Sequence, residues 1–271
     1  MAISIFYKNI FNPDSTKNRV DYKQEAEKLL AQVLQEKPNS AYAITIPLLG
    51  TSFLGDADLA RKLENQFLES YGISLVDSAK DICEKIPNRT EAAWLFGRVL
   101  VSAQARGDEA TALKASEIIE ALLEDQKNDC FAAWAWGYLA MYDSSYIGKM
   151  LDSIEDLSLV KEEEGKDNVP WAIVMGLQSL SAVKDSEDYE KCLKKLQDFT
   201  HRTSVVEALE TIPAGDFRAW AMSFILLAAR RMGDNSTYQQ LRHVLDKEIQ
   251  SSSSSGDQML AYINLNLSVS S

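Results

Sequence analysis

The sequence predicts an all-α fold made of about five antiparallel helix pairs, and three observations predict it. A short pattern recurs along the 271 residues. Each copy opens on an aromatic, apolar stretch that is too long for an ordinary strand and apolar nearly all round, as a helix packed on several sides requires. Each then passes a Gly-Asp dipeptide, or a substitute for it, into an amphipathic stretch.

The two clearest copies are "IPNRTEAAWLFGRVLVSAQARGD" and "IPAGDFRAWAMSFILLAARRMGD". They share Ile-Pro, five residues, Ala-Trp, twelve residues and Gly-Asp. In a weaker copy Tyr42 replaces the tryptophan and Gly55-Asp56 follows at the same interval; two more degenerate copies centre on Trp134 and Trp171, the last ending in Lys184-Asp185. The anchors Tyr42, Trp94, Trp134, Trp171 and Trp220 stand 37 to 52 residues apart, in the range of helical-hairpin repeats.

Along the chain, residues 1–20 read as an N-terminal arm with a turn at Asn12-Pro13-Asp14-Ser15, and residues 21–250 as the helical-repeat domain. "DYKQEAEKLLAQVLQEK" is its first helical segment. In each unit the aromatic stretch, helix A, forms the inner layer. Glycine suits the left-handed position after helix A, and aspartate caps the next helix, B, by accepting from a free backbone N–H. In the B segment "DEATALKASEIIEALLED", Ala112, Ala115, Ile119 and Leu122 fall three or four apart, so B is amphipathic and outer. "YGISLVDSAKDICEKI" and "HRTSVVEALET" add helices that account for the two longest steps. Residues 251–256 form a Ser-rich loop and 257–271 a capping segment and tail.

At these residues the chain resembles the tetratricopeptide-repeat superfamily. Trp94, Trp220 and Tyr42 occupy the first-helix aromatic position, Gly-Asp turns follow at 55, 107 and 233, and Pro38, Pro87 and Pro213 match the inter-repeat proline. Ala112 and Ala115 supply small residues in helix B. The A helix is about two residues longer than the family unit gives, and the repeat step is uneven. The resemblance implies a right-handed superhelix with a protein-binding concave surface and brings no catalytic residues.

Composition narrows the function. With 28 Lys+Arg against 40 Asp+Glu the formal charge is −12, which opposes binding to nucleic acid or to an anionic membrane, since both reward clustered cations. No segment approaches a membrane-spanning length, and the N-terminus has no Sec-type signal pattern. Cys83, Cys130 and Cys192 are odd in number and widely spaced, so they read as small apolar residues in a reducing, cytoplasmic setting. Export by a specialised system is compatible with the same pattern.

Chemistry-bearing motifs are sparse. His201 and His243 have no metal-ligand spacing around them, no nucleotide or nucleophile motif occurs, and "KEEEGKD" at 161–167 has no cation-loop pattern. His243 beside Asp246 reads as a solvated pair. The expectation is a non-enzymatic chain with no cofactor and no metal.

One pattern points to a partner. The A segments 41–55, 92–107, 131–142, 170–183 and 217–233 contain no Asp or Glu, and their charged residues are Arg98, Arg106, Arg218, Arg230 and Arg231. On a concave inner layer this predicts a neutral-to-basic strip for an acidic peptide or a carboxylate, with Arg98, Ser102, Arg106, Trp136, Tyr138, Gln178 and Arg230 as partner-binding residues. Burial alone also excludes acids from a helix, and the tryptophans read first as packing anchors. The functional expectation is a protein-binding scaffold or adaptor. The alternatives are an inhibitor or immunity-type protein binding through its acidic outer face, and a small-molecule or lipid-binding protein with an enclosed pocket near Trp136, Met141 and Met175.

Overall fold

The computed structural model describes residues 21–35, 41–124, 126, 129–159, 169–213 and 217–270, and among these every regular element is helical. The chain begins with α1 (Tyr22–Gln35). Hairpins follow: α2 (Ala41–Leu54) with α3 (Ala57–Tyr71), α5 (Arg89–Arg106) with α6 (Glu109–Leu123), and α7 (Cys130–Tyr142) with α8 (Ile147–Leu159). Then come α9 (Val169–Val183) with α10 (Ser186–Thr200), and α12 (Arg218–Met232) with α13 (Asn235–Ser251), before a last helix, α14 (Ser255–Ser270). The two added helices are short, α4 (Ala79–Lys85) and α11 (Val205–Leu209), and a single 3₁₀ turn, Ser144–Tyr146, precedes α8.

The hairpins turn as the sequence predicts. Gly55, Gly107 and Gly233 have φ of 82°, 71° and 75°, a left-handed conformation that a side chain would strain. The following aspartates Asp56, Asp108 and Asp234 accept from the backbone N–H of Leu59, Thr111 and Thr237 at 3.0, 3.2 and 3.0 Å. Lys184 takes the left-handed position without being glycine (φ 60°), and Asp185 caps α10 in the same way. One turn chemistry thus folds four hairpins.

The array does not stay open. Helix α2 packs on α5, α5 on α7, α7 on α9, α9 on α12 and α12 on α14, and α14 packs back on α2. Six inner helices therefore form a closed ring, with α3, α6, α8, α10 and α13 each packed outside its hairpin partner and α1 outside α14. Two expectations change. Five pairs on an open superhelix become six among the described residues, because α1 and α14 pair with each other. The segment expected as a terminal cap after the serine run is the sixth inner helix, and the run itself leaves only residues 252–254 between α13 and α14. A clasp holds the closure: Tyr22 of α1 stacks on Tyr262 of α14 with centroids 6.1 Å apart, and Arg242 of α13 donates to the Tyr22 phenol oxygen. The N-terminal arm 1–20, the run 161–167 and the side chain of Tyr42 lie outside the described residues.

Closure buries the inner helices on every side. All twelve residues from Ala92 to Ala103 in α5 are buried. Outer helix α6 buries Ala112, Ala115, Ile119 and Leu122 yet leaves Leu113 half exposed. Each large apolar side chain taken from water contributes roughly 1.5–3 kcal/mol, so the inner ring carries most of the folding free energy. Tryptophans mark its common register. Trp94, Trp134, Trp171 and Trp220, from four successive inner helices, follow one another with centroids 5.3, 6.2 and 5.4 Å apart, the middle pair edge to face and the outer two pairs tilted. They are packing anchors.

Close approach also needs missing side chains. Gly97 lies mid-helix in α5, and a Cβ there would come 2.1 Å from a ring carbon of Tyr138 on α7. We expect Gly97→Ala to lower stability by about 1–3 kcal/mol through overpacking, despite alanine's better helix propensity. Gly148 of α8 has nothing within 4 Å of the same atom, so Gly148→Ala should stabilise by up to about 1 kcal/mol. Thermal unfolding of the two variants checks the pair, and equal melting temperatures would contradict the packing.

Candidate functional site

The residues singled out for a concave binding strip are mostly inside the protein. Arg98 is fully buried; its Nη1 donates to Thr45 Oγ1 on α2, and its guanidinium carbon lies 4.0 Å from the centre of the Trp94 ring. It also bonds to Tyr138, whose phenol is pushed up by burial and drawn partly back by the guanidinium. Ser102, fully buried, accepts from Arg106, and Arg106 Nη2 reaches Glu64 Oε2 of α3 at 2.8 Å. The side chains of Arg106 and Glu64 are only 3% and 6% exposed. Burial raises the Glu64 carboxyl and Arg106 opposes that rise; the short contact marks the pair as ionic.

Gln178 is buried too. With its amide oriented to satisfy both ends, it donates to the Phe224 carbonyl at 3.3 Å and accepts from Arg231 Nη1 at 3.1 Å. Arg230 alone of the predicted set is exposed, with its guanidinium 5.6 Å from the Tyr238 ring. The shared face of Arg98, Ser102 and Arg106 is therefore real, but it looks at neighbouring helices. Ring closure is the reason, since it packs neighbouring helices against these side chains. The absence of acids in the A segments reflects burial, not a basic groove.

Asp257, which sequence reasoning passed over, shows the same economy. Phe217 stands at the N-terminus of α12 in a left-handed conformation with no side-chain cap of its own. Asp257 of α14 supplies one, accepting from the Trp220 backbone N–H at 2.7 Å. Burial pushes its carboxyl up to about 6, against the lowering effect of Ser252 and of the Trp220 and Ala219 N–H groups.

Along the ring axis a narrow, mainly apolar space is lined from all six inner helices, by Phe53, Val101, Tyr138, Gln178, Leu227 and Asn264 among others. It has room for water-sized occupants only. Among the described residues no group of three His, Cys, Asp or Glu is placed to hold a metal ion, and no helix is long and apolar enough to cross a membrane. Asp246 pairs with Arg242 at 2.7 Å, not with His243, which is exposed on α13. Burial raises the Cys192 thiol to about 12 and the Cys130 thiol to about 11, so neither is a thiolate nucleophile near neutral pH.

What remains accessible is the outer surface. On α6, α8 and their connections Glu109, Glu117, Glu124, Asp143, Asp152 and Asp156 are exposed, with Lys114 and Lys149 the exposed cations of the two helices. Between those helices Trp136, half-buried, stacks on Tyr146 with centroids 6.0 Å apart and planes 28° from parallel. Lys149 Nζ sits 4.8 Å from the Trp136 ring centre and 5.6 Å from that of Tyr146. The Tyr146 phenol faces the Glu120 carboxylate; burial and that charge raise it to about 12. Trp136, placed two residues beyond its repeat position in the sequence, is the predicted residue that reaches an accessible site.

Among the described residues the regular structure is helical, most charged side chains lie on the outer surface, and the centre is closed. The chain matches no protein-family model, no curated protein and no solved structure in the comparisons made.

Two outcomes test the buried polar groups. Arg106→Ala should cost about 3–5 kcal/mol, because it strands Glu64 as an uncompensated buried carboxylate, whereas Arg106→Met with Glu64→Leu should recover most of the loss. A raised carboxyl in the folded state means that stability falls as pH rises from the unfolded value near 4 through about 6. Asp257→Asn, which keeps the acceptor oxygen, should flatten that fall by up to about 3 kcal/mol. Urea unfolding at pH 4, 5, 6 and 7 decides it: parallel curves for wild type and variant would remove Asp257 as the cause.

Proposed function

We propose that this chain is a non-enzymatic protein-binding module that meets its partner through the acidic outer face. The observation that supports this reading is the division of charge between the two rings. The inner helices are largely buried and closed on themselves, while the exposed acids of the described residues lie mainly on the outer helices and are dense on α6 and α8, in a sequence whose formal charge is −12. A surface of one sign steers a partner of the opposite sign and gives its binding a strong salt dependence. A dedicated inhibitor of a basic protein fits this surface better than an adaptor that holds an acidic peptide in an inner groove.

The hairpins belong to this reading as degenerate tetratricopeptide-like units bent into a ring, supported by their shared Gly-Asp turns and aromatic anchors. A reducing, cytoplasmic setting is supported by the free thiols of Cys83, Cys130 and Cys192. The small-molecule reading has less behind it. Of Trp136, Met141 and Met175, only Met141 lines the axial space, and Trp136 packs outward on Tyr146.

Capture from a native lysate tests the proposal. A variant carrying Glu109→Gln, Glu117→Gln, Asp152→Asn and Asp156→Asn removes exposed acids without touching the core. The wild type should hold a basic protein at low ionic strength and release most of it near ~0.5 M salt, where the screening length falls to a few ångströms. The variant should hold at least about tenfold less at low salt, as the loss of several steering charges implies. Equal capture by both proteins at every salt concentration would exclude the acidic face.

A further inference from the structure

The Trp136–Tyr146 pair already shows what kind of group it accepts. Two rings lie nearly parallel at 6.0 Å, and the Lys149 ammonium stands over both, 4.8 and 5.6 Å from their centres. Behind them the Glu120 carboxylate faces the Tyr146 phenol. An electron-rich ring face attracts a cation, and a nearby carboxylate adds to that attraction. Lys149 is exposed and held on a flexible stem, so it can leave this place at little cost.

We infer that the Trp136–Tyr146–Glu120 cluster is a cation-accepting cradle for an arginine or lysine side chain of a basic partner segment, and that Lys149 occupies it until the partner arrives. This inference rests on the acidic-face reading and gives it an address. Charge complementarity selects the occupant. The exposed acids Glu109, Glu117, Glu124, Asp152 and Asp156 of the two helices that carry Glu120 and Lys149 would attract the other cations of such a segment, whereas they would repel an acidic peptide. Leu113, half exposed on α6, offers an apolar contact to the stem of a long basic side chain. Arginine suits the cradle better than lysine, because its planar guanidinium stacks on a ring while keeping donors free for Glu120.

The probe is a fluorescein-labelled peptide of nine arginines, with a nine-glutamate peptide as its control, titrated into the full chain and followed by anisotropy. Lys149→Ala empties the cradle but also removes a repelling charge, so Lys114→Ala, the same change of formal charge on α6 that in addition releases Glu117, is measured beside it. Lys149→Ala should tighten the arginine peptide about 2–5-fold more than Lys114→Ala does, the range of one cation–ring contact. Tyr146→Leu should abolish that extra gain when combined with Lys149→Ala. If Tyr146→Leu alters the circular dichroism, Glu120→Gln replaces it with the same expected loss. Equal effects of Lys149→Ala and Lys114→Ala, or a gain that survives both cradle substitutions, would overturn the cradle. The acidic-face reading is judged separately by the four-acid variant. If that variant still binds more weakly, the face stands without the cradle; if it binds as the wild type does, both fall.

Discussion

Every feature of this protein follows from packing six inner helices side by side around one axis. A helix buried on all sides has no face on which to leave a charge in water, so each polar group it carries needs a partner inside the protein. Arg98 finds Thr45, Tyr138 and the face of Trp94; Arg106 finds Ser102 and Glu64; Gln178 finds Arg231 and the Phe224 carbonyl. Where the main chain departs from a standard cap at Phe217, a buried carboxylate comes from the adjoining helix to replace it. These contacts look like a binding strip when only their spacing is known. In three dimensions they are the internal accounting of the ring.

The outer helices answer to a different rule. Each needs only one apolar stripe, so its remaining faces are free to carry charge. That freedom is used unevenly. On α10, Lys191 and Lys194 pair with Glu187, Asp188 and Asp198 one turn away, and solvent-exposed pairs of this kind add little stability and little field. The sector formed by α6 and α8 pairs Lys114 with Glu117 and Lys195 with Glu155 yet carries more exposed acids than cations, and it borders a stacked aromatic pair from an inner helix and its following turn. The functional reading grows from that juxtaposition.

Local order was legible in the sequence because local chemistry enforces it. Gly107 and Asp108 need only each other and the following turn to fold a hairpin, and a tryptophan at a fixed distance upstream identifies the helix that must be packed. Closure was not legible. It depends on Tyr22 meeting Tyr262 and Arg242 across nearly the whole chain, and no periodicity encodes a contact of that separation. The glycines at 97 and 137, each inside an apolar helix, were the available hint that inner helices approach one another closely. At the candidate site Trp136 could be noticed as an exception. Tyr146, Lys149 and Glu120 could not be joined to it, because they come from a turn and two other helices.

Because the outer partner of α14 is α1, the ring has a seam between two helices far apart in the sequence. During synthesis, hairpins α2–α3 to α12–α13 can each form from neighbours as they emerge, while α1 has its main packing surface only after residue 270 has been made. Nascent chains fold from the N-terminus forward, and contacts of long sequence separation form slowly. Until α14 emerges the described helices are therefore an arc with two raw edges, and α1 is a waiting helix whose apolar stripe belongs to a segment not yet translated. A chain that stops at the serine run would lack α14, one half of the seam, and its edges would be free to pair with those of another incomplete chain.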